Sequence, residues 1–165
     1  MQYTDKYRSP LGSILLAADE VGLTGLWFIG QKYFAHNLAP HYMEKETPVL
    51  AQTRQWLDIY FSGRKPEFQV PLHLTGTEFQ YKVWKFLSDI PYGQTTTYGA
   101  IARQIAMLDG LERVSAQAVG GAVGRNPVSI IVPCHRVVGS NGSLTGYAGG
   151  LEKKAALLKL ERGRI

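Results

Sequence analysis

Residues 97–124 read TYGAIARQIAMLDGLERVSAQAVGGAVG. Hydroxyl side chains stand where helix caps are wanted, Thr97 ahead of Tyr98–Ile105 and Ser115 ahead of Ala116–Val123. The spacing predicts two short helices joined by a loop through Leu108, Asp109, Gly110 and Leu111. A helix-turn-helix and a plain helical pair inside a core both satisfy that pattern. From Ser115 to Gly124 almost every side chain is small. Glycine weakens a helix by roughly 1 kcal/mol, so close backbone approach must matter there. Either two helices cross tightly, or the helix lies against DNA with Gln117 as its lone polar probe.

Working outward, Thr77 can cap a helix through Phe79, Val83, Trp84, Phe86, Leu87 and Ile90, which Pro91-Tyr92-Gly93 stops. Further upstream the pattern turns to strands. Tyr7–Gly12 reads as a strand end and turn, and Ser13–Ala18 and Leu23–Ile29 as strands around an Asp19–Gly22 turn. Residues 31–46 carry no clear pattern. Thr47 and Pro48 open a helix over residues 48–62, with Leu50, Leu57, Tyr60 and Phe61 on one face around Trp56. Residues 68–74 form a short extended piece, and a domain boundary falls near residue 75, between 1–75 and 76–165. Downstream, Ser129–Val132 reads as a buried strand ended by Pro133. The last helix runs from Leu151 to Glu161, with Leu151, Ala155, Leu158 and Leu160 inward and Lys153, Lys154, Lys159 and Arg162 outward. The fold class is α/β, of the α+β kind.

Composition narrows the function. Residues 1–75 carry seven Lys/Arg against seven Asp/Glu, and residues 76–165 carry eleven against six. The whole net charge of +5 therefore sits in the second half, which fits a polyanionic partner as well as a mildly biased solvated surface. The single cysteine excludes an intrachain disulfide, a zinc ribbon and a C-x-x-C redox pair. No apolar leader follows Met1-Gln2-Tyr3, and no apolar run is long enough to span a bilayer. A cytoplasmic protein without membrane attachment is expected.

That cysteine lies in Pro133-Cys134-His135-Arg136-Val137, inside an otherwise apolar stretch. A nearby cation favours the thiolate, the reactive form. Adjacent side chains rarely face one another, so His135 would take the thiol proton through a water, with Glu161 as the candidate partner of its second ring nitrogen. Pro127 ends the helix before it and leaves the Asn126 side chain free to bond backbone. An inert buried cysteine and a plain helix stop are the bland alternatives. The glycine-rich Asn141–Gly150 opens with a tight Asn-Gly turn and could form a wall for a planar ligand.

Taken together, Pro133-Cys134-His135-Arg136-Val137, Asn126-Pro127 upstream, Gly146-Tyr147 downstream, Ile90-Pro91-Tyr92-Gly93, Thr97-Tyr98 and Ala118-Val119-Gly120-Gly121 resemble the O6-alkylguanine-DNA alkyltransferases. The resemblance covers most of residues 76–161. It implies a small ribonuclease-H-like N-terminal domain of antiparallel sheet plus helix, followed by a helical domain with a winged-helix-like helix-turn-helix. It implies a single-turnover repair methyltransferase that flips O6-alkylguanine from the minor-groove side of double-stranded DNA, acts as a monomer and needs no cofactor or metal. By resemblance, Cys134 is the alkyl acceptor, His135 the base acting through water, Glu161 its orienting acid, Asn126 the brace of the active-site turn and Tyr98 the donor to the departing guanine. Val137, Tyr147 and Ala148 are the implied guanine pocket. Thr97, Gln117, Ala118, Arg125 and Arg136 are the implied DNA contacts.

Two departures stand out. Gln117 occupies the place of the family's arginine finger, which implies weaker or more salt-tolerant DNA binding. The loop around Met107–Arg113 is longer than in many relatives. N-terminal zinc cysteines, present in some members, are absent here. A lesion-binding protein without transfer, a cysteine hydrolase and a pure helix-turn-helix regulator are the competing readings. The first two would differ in alkyl uptake and turnover, and the third has no use for Pro-Cys-His-Arg.

Overall fold

The computed structural model describes residues 1–163. Its first half holds β1 (Gln2–Ser9), β2 (Gly12–Ala18), β3 (Leu23–Phe28), β4 (Tyr42–Glu44) and α1 (Pro48–Phe61). The second half holds α2 (Glu78–Ser88), β5 (Thr96–Thr97), α3 (Tyr98–Leu108), α4 (Ala116–Gly124), a 3-10 turn (Cys134–Arg136), β6 (Val137–Val138) and α5 (Leu151–Arg162). The sheet order is β3-β2-β1-β4. The first three strands pair antiparallel, whereas β4 pairs parallel with β1, so the expected antiparallel sheet is mixed at one edge. Residues 42–44 are too short and exposed to show a strand pattern on their own.

The opposite edge positions the functional half. Every residue of β3 is buried, although among the described residues β3 has only one strand neighbour in its sheet. An uncovered edge strand would present unpaired backbone groups. Here, Leu23 N donates to Pro71 O at 2.8 Å and His73 N to Leu23 O at 2.8 Å, so the extended piece expected at 68–74 runs along the edge. Farther along, Leu26 N donates to Pro127 O at 2.9 Å and Ser129 N to Leu26 O at 3.0 Å. The segment carrying the cysteine thus hangs from the sheet edge by two backbone bonds.

Ser129–Val132 is not the strand the apolar run suggests. Only Val128 bridges to Leu26, after which the chain turns, with Ile130 at φ 71°. The Asn126 side chain is the cause: it accepts from Val128 N at 3.0 Å and donates to Val132 O at 2.8 Å. Such local side-chain bonds compete with ladder formation. Cys134 consequently opens a 3-10 turn instead of ending a strand.

The helices follow their caps. Thr47, Thr77, Thr97 and Ser115 each accept a backbone N–H of the following turn. In α1, Leu50, Thr53, Leu57 and Tyr60 are buried. Trp84 of α2 donates its indole N–H to Ala122 O at 2.9 Å and anchors α4. In α5 the buried positions are Lys154, Leu157, Leu158 and Glu161, while Leu151 and Ala155 face out. The inward face is therefore rotated from the expected one, because two charged residues find partners inside. Leu26 is fully buried in the core shared by both halves. Leu26→Ala should lower unfolding free energy by about 2–5 kcal/mol, read from urea denaturation midpoints.

Candidate active site and nucleic-acid interface

Cys134 is 5% exposed and its thiol is free. Burial pushes the thiol up, opposed by the Asn126 side chain and the charge of Lys154. His135 is fully buried; its Nε2 lies 2.5 Å from Glu161 Oε2, and its Nδ1 has no hydrogen-bond partner among the described residues. Burial lowers the imidazole pKa against the pull of Glu161, so the ring is a neutral acceptor at physiological pH.

Glu161 gathers more than His135. Tyr60 Oη donates to Oε2 at 2.6 Å, Gly93 N to Oε1 at 3.2 Å, Arg136 Nε to Oε1 at 2.7 Å and Arg136 Nη2 to Oε2 at 3.0 Å. Burial alone would raise this carboxyl, but the bonds from His135 and Arg136 prevail and hold it at about 2. The resemblance implies Arg136 at DNA, and the structure corrects this. Its guanidinium is committed inside, to Glu161 and to Ile90 O at 2.8 Å, and it faces the Tyr92 ring at 5.6 Å. That is how an arginine this deep is satisfied, and it is unavailable to phosphates.

A cavity of about 660 Å³ joins Cys134 to Tyr98, Tyr147, Ala148 and the side of α4 that carries Ala116, Gln117, Gly120 and Gly121. Tyr98, the first residue of α3, donates its hydroxyl to Thr145 O at 3.0 Å. Tyr147 and Ala148 line the cavity, and the Tyr147 hydroxyl is buried without a partner among the described residues. Val137 does not line it. Val137 is fully buried in β6, paired with Thr96, with its side chain spent in the core. Thr97 uses its hydroxyl to cap α3, accepting from Ala100 N at 3.0 Å.

Lys154 escapes the sequence pattern, which puts it on the outer face of α5. It is fully buried, and its Nζ donates to Thr145 O at 2.8 Å and Gly146 O at 3.0 Å. Those bonds hold the glycine-rich wall of the cavity. Burial brings its pKa down to about 8, against the opposite pull of a Cys134 thiolate. Its i, i+3, i+4, i+7 spacing with Leu157, Leu158 and Glu161 is the signal that would have placed it inside.

Ala116, Gln117, Ala118 and Gly121 form the exposed face of α4, and Arg125 caps its C-terminal end. Among the described residues, a Cβ at Gly121 or Gly124 would meet nothing within 4 Å, and one at Gly120 would make ordinary contact with Tyr98 at 3.8 Å. A tight helix crossing within the protein is therefore not what these glycines serve. The smooth face is turned outward. No group of residues suited to hold a metal ion occurs among the described residues.

Fold and site together define a protein that presents one buried cysteine, backed by a histidine–carboxylate pair, to a cavity bordered by a small-residue helix. Comparisons with known proteins agree. The family model for the 6-O-methylguanine DNA methyltransferase DNA-binding domain matches residues 78–163, and that for its ribonuclease-like domain matches residues 2–74. The methylated-DNA–protein-cysteine methyltransferase of Methanosarcina acetivorans is 48% identical over 156 residues, covering 94% of this chain and 95% of the relative. Its Mycobacterium leprae counterpart is 43% identical over 157 residues, covering 95% and 90%. The crystal structure of Mycobacterium tuberculosis OGT in complex with DNA superposes with a TM-score of 0.84 at 43% identity, covering 97% of this chain and 92% of that one. This chain belongs to the 6-O-methylguanine DNA methyltransferase family.

Glu161→Gln leaves Arg136 buried without its counter-charge and should cost about 3–5 kcal/mol in urea unfolding. A carboxyl held at about 2 in the fold, against an ordinary 4.5, adds stability that is full above pH 4.5 and is lost as pH falls toward 2. Unfolding midpoints across that window should decline in the native chain and flatten in the glutamine variant.

Proposed function

We propose that this protein repairs double-stranded DNA by flipping O6-alkylguanine into the cavity and moving the alkyl group to Cys134, once per molecule. The observation that carries this reading is the shared cavity: the only cysteine and the smooth outer helix α4 border one space. O6 of a paired guanine is buried in the duplex, so the base must leave the stack, at a cost of a few kcal/mol.

The geometry supports the following chemistry. The resting thiol is protonated, and neutral His135 accepts its proton through a water at Nδ1. The resulting imidazolium is held by ionised Glu161. Sulfur attacks the alkyl carbon, a C–S bond forms, the C–O6 bond breaks and the electron pair leaves on O6. Tyr98, whose hydroxyl is held protonated by burial, turns from Thr145 O to donate to that oxygen. Ammonium at Lys154 favours the thiolate and steadies the wall. Asn126 braces the turn behind the sulfur. Tyr147 and Ala148 receive the base. The thioether product has no carbonyl for water to attack, so the protein is consumed.

On the DNA side, α4 enters the minor groove, where its lack of bulk permits close approach, and Gln117 fills the space of the flipped base. Ala118, Thr97 and Arg125 complete the contacts, and the basic second half supplies sequence-independent affinity. The domain boundary falls near residue 75, between 1–75 and 76–165. The protein acts as a monomer in the cytoplasm, where an unpaired cysteine stays reduced; among the described residues no helix is long and apolar enough to cross a membrane.

Intact-protein mass after mixing with excess duplex holding one O6-methylguanine tests this reading. One methylene gained on the Cys134 peptide, and no more, is the expected result; no gain with the duplex still bound would instead make this a lesion-binding protein. Cys134→Ser should abolish uptake and retain DNA binding in a gel-shift titration. Gln117→Arg should tighten binding at low salt, with the gain shrinking as salt rises, since it adds one phosphate-directed charge.

A further inference from the structure

One wall of the cavity comes from outside the helical half. Lys32 and Tyr33, from the segment after β3, line the same space as Cys134, Tyr147 and Ala148. The segment is tightly built. Buried Gln31 accepts from Phe28 N at 2.9 Å and donates to Lys32 O at 3.1 Å. Lys32 N donates to Ala148 O at 3.0 Å, which ties it to the cavity wall directly. Asn37 Nδ2 donates to Thr24 O at 3.1 Å and fastens the far end. Within this frame Tyr33 sits at φ 61° and Ala35 at φ 51°. Left-handed backbone costs a residue with a side chain roughly 1–2 kcal/mol, and such strain persists only where surrounding contacts over-determine it. Arg125, at the end of α4, lies 4.1 Å from the Tyr33 ring centroid and pins the ring from the other side.

Resting on Cys134 as alkyl acceptor, we propose that Tyr33 is a specificity-determining residue that sets how large an alkyl group the cavity accepts. A guanine whose O6 faces Tyr98 occupies the space between α4 and the Thr145–Tyr147 wall. A methyl group needs only the gap between O6 and sulfur. Anything larger must extend along the remaining side, which is Ala148, Lys32 and the Tyr33 ring. That ring cannot swing away freely, because backbone, Arg125 and the Lys32–Ala148 bond hold it. The N-terminal half thereby contributes to substrate choice and not to stability alone.

The test compares rates of transfer from duplexes carrying O6-methylguanine and O6-benzylguanine, read by intact-protein mass with the adduct mapped to Cys134. Tyr33→Ala should raise the benzyl-to-methyl rate ratio by about tenfold or more, the discrimination that pocket size carries. Tyr33→Trp should lower the ratio, so the two variants move it in opposite directions, and if one misfolds the other still decides. Adducts formed at an unchanged ratio in either folded variant overturn the role of Tyr33. Equal slowing of both substrates also overturns it, and assigns the residue to DNA docking. No adduct on Cys134 of the native chain from either duplex overturns the acceptor assignment, and this proposal with it.

Discussion

The carboxylate of Glu161 is the point on which both fold and site depend. It accepts from Tyr60 of α1, from the Gly93 turn, and from His135 and twice from Arg136 in the 3-10 turn, while itself sitting near the end of α5. A carboxylate with this burial is costly to desolvate unless each lone pair is used. Meeting that demand draws four separate pieces of chain to one point. Arg136 balances the charge, which leaves His135 free to be neutral. The carboxylate then fixes which ring nitrogen faces Glu161 and which is left without a partner among the described residues.

A second constraint acts from the opposite side of the cysteine. The edge of β3 needs partners, and the Pro127–Ser129 backbone supplies them. Asn126 folds the following residues back into a turn and presents Cys134 at its end. The thiol is thus held between a sheet edge and a buried ion cluster. Neither half of the chain could place it alone, although the chemistry-bearing motif lies wholly in the second.

Much of this is legible in the residues. Threonine and serine caps mark four helices because capping is local chemistry. The meeting of His135 with Glu161 can be anticipated from residue types that are rarely buried without a partner. What fails is whatever depends on distant partners. Lys154 reads as a solvated lysine because its acceptors, the carbonyls of Thr145 and Gly146, are invisible to a pattern of side chains. Arg136 is implied as a DNA contact by the resemblance, and its burial is not visible in the residues. Ser129–Val132 reads as a strand because a short apolar run does not distinguish a buried strand from a buried turn. The mixed edge at β4 and the reach of Tyr33 into the cavity belong to residues 31–46, where no periodicity exists to read.

The glycines of α4 carry a dynamic consequence. Each one forgoes roughly 1 kcal/mol of helix propensity. Inside the protein, α4 is retained by Val119, Ala122 and Val123 and by the indole bond from Trp84. Its outer residues contribute almost nothing to that hold. Local opening free energies differ between parts of one fold, and elements with few buried contacts open first. Amide hydrogens of α4 should therefore exchange with solvent sooner than those of α2. The composition that leaves this helix smooth also leaves it among the first elements of the fold to open.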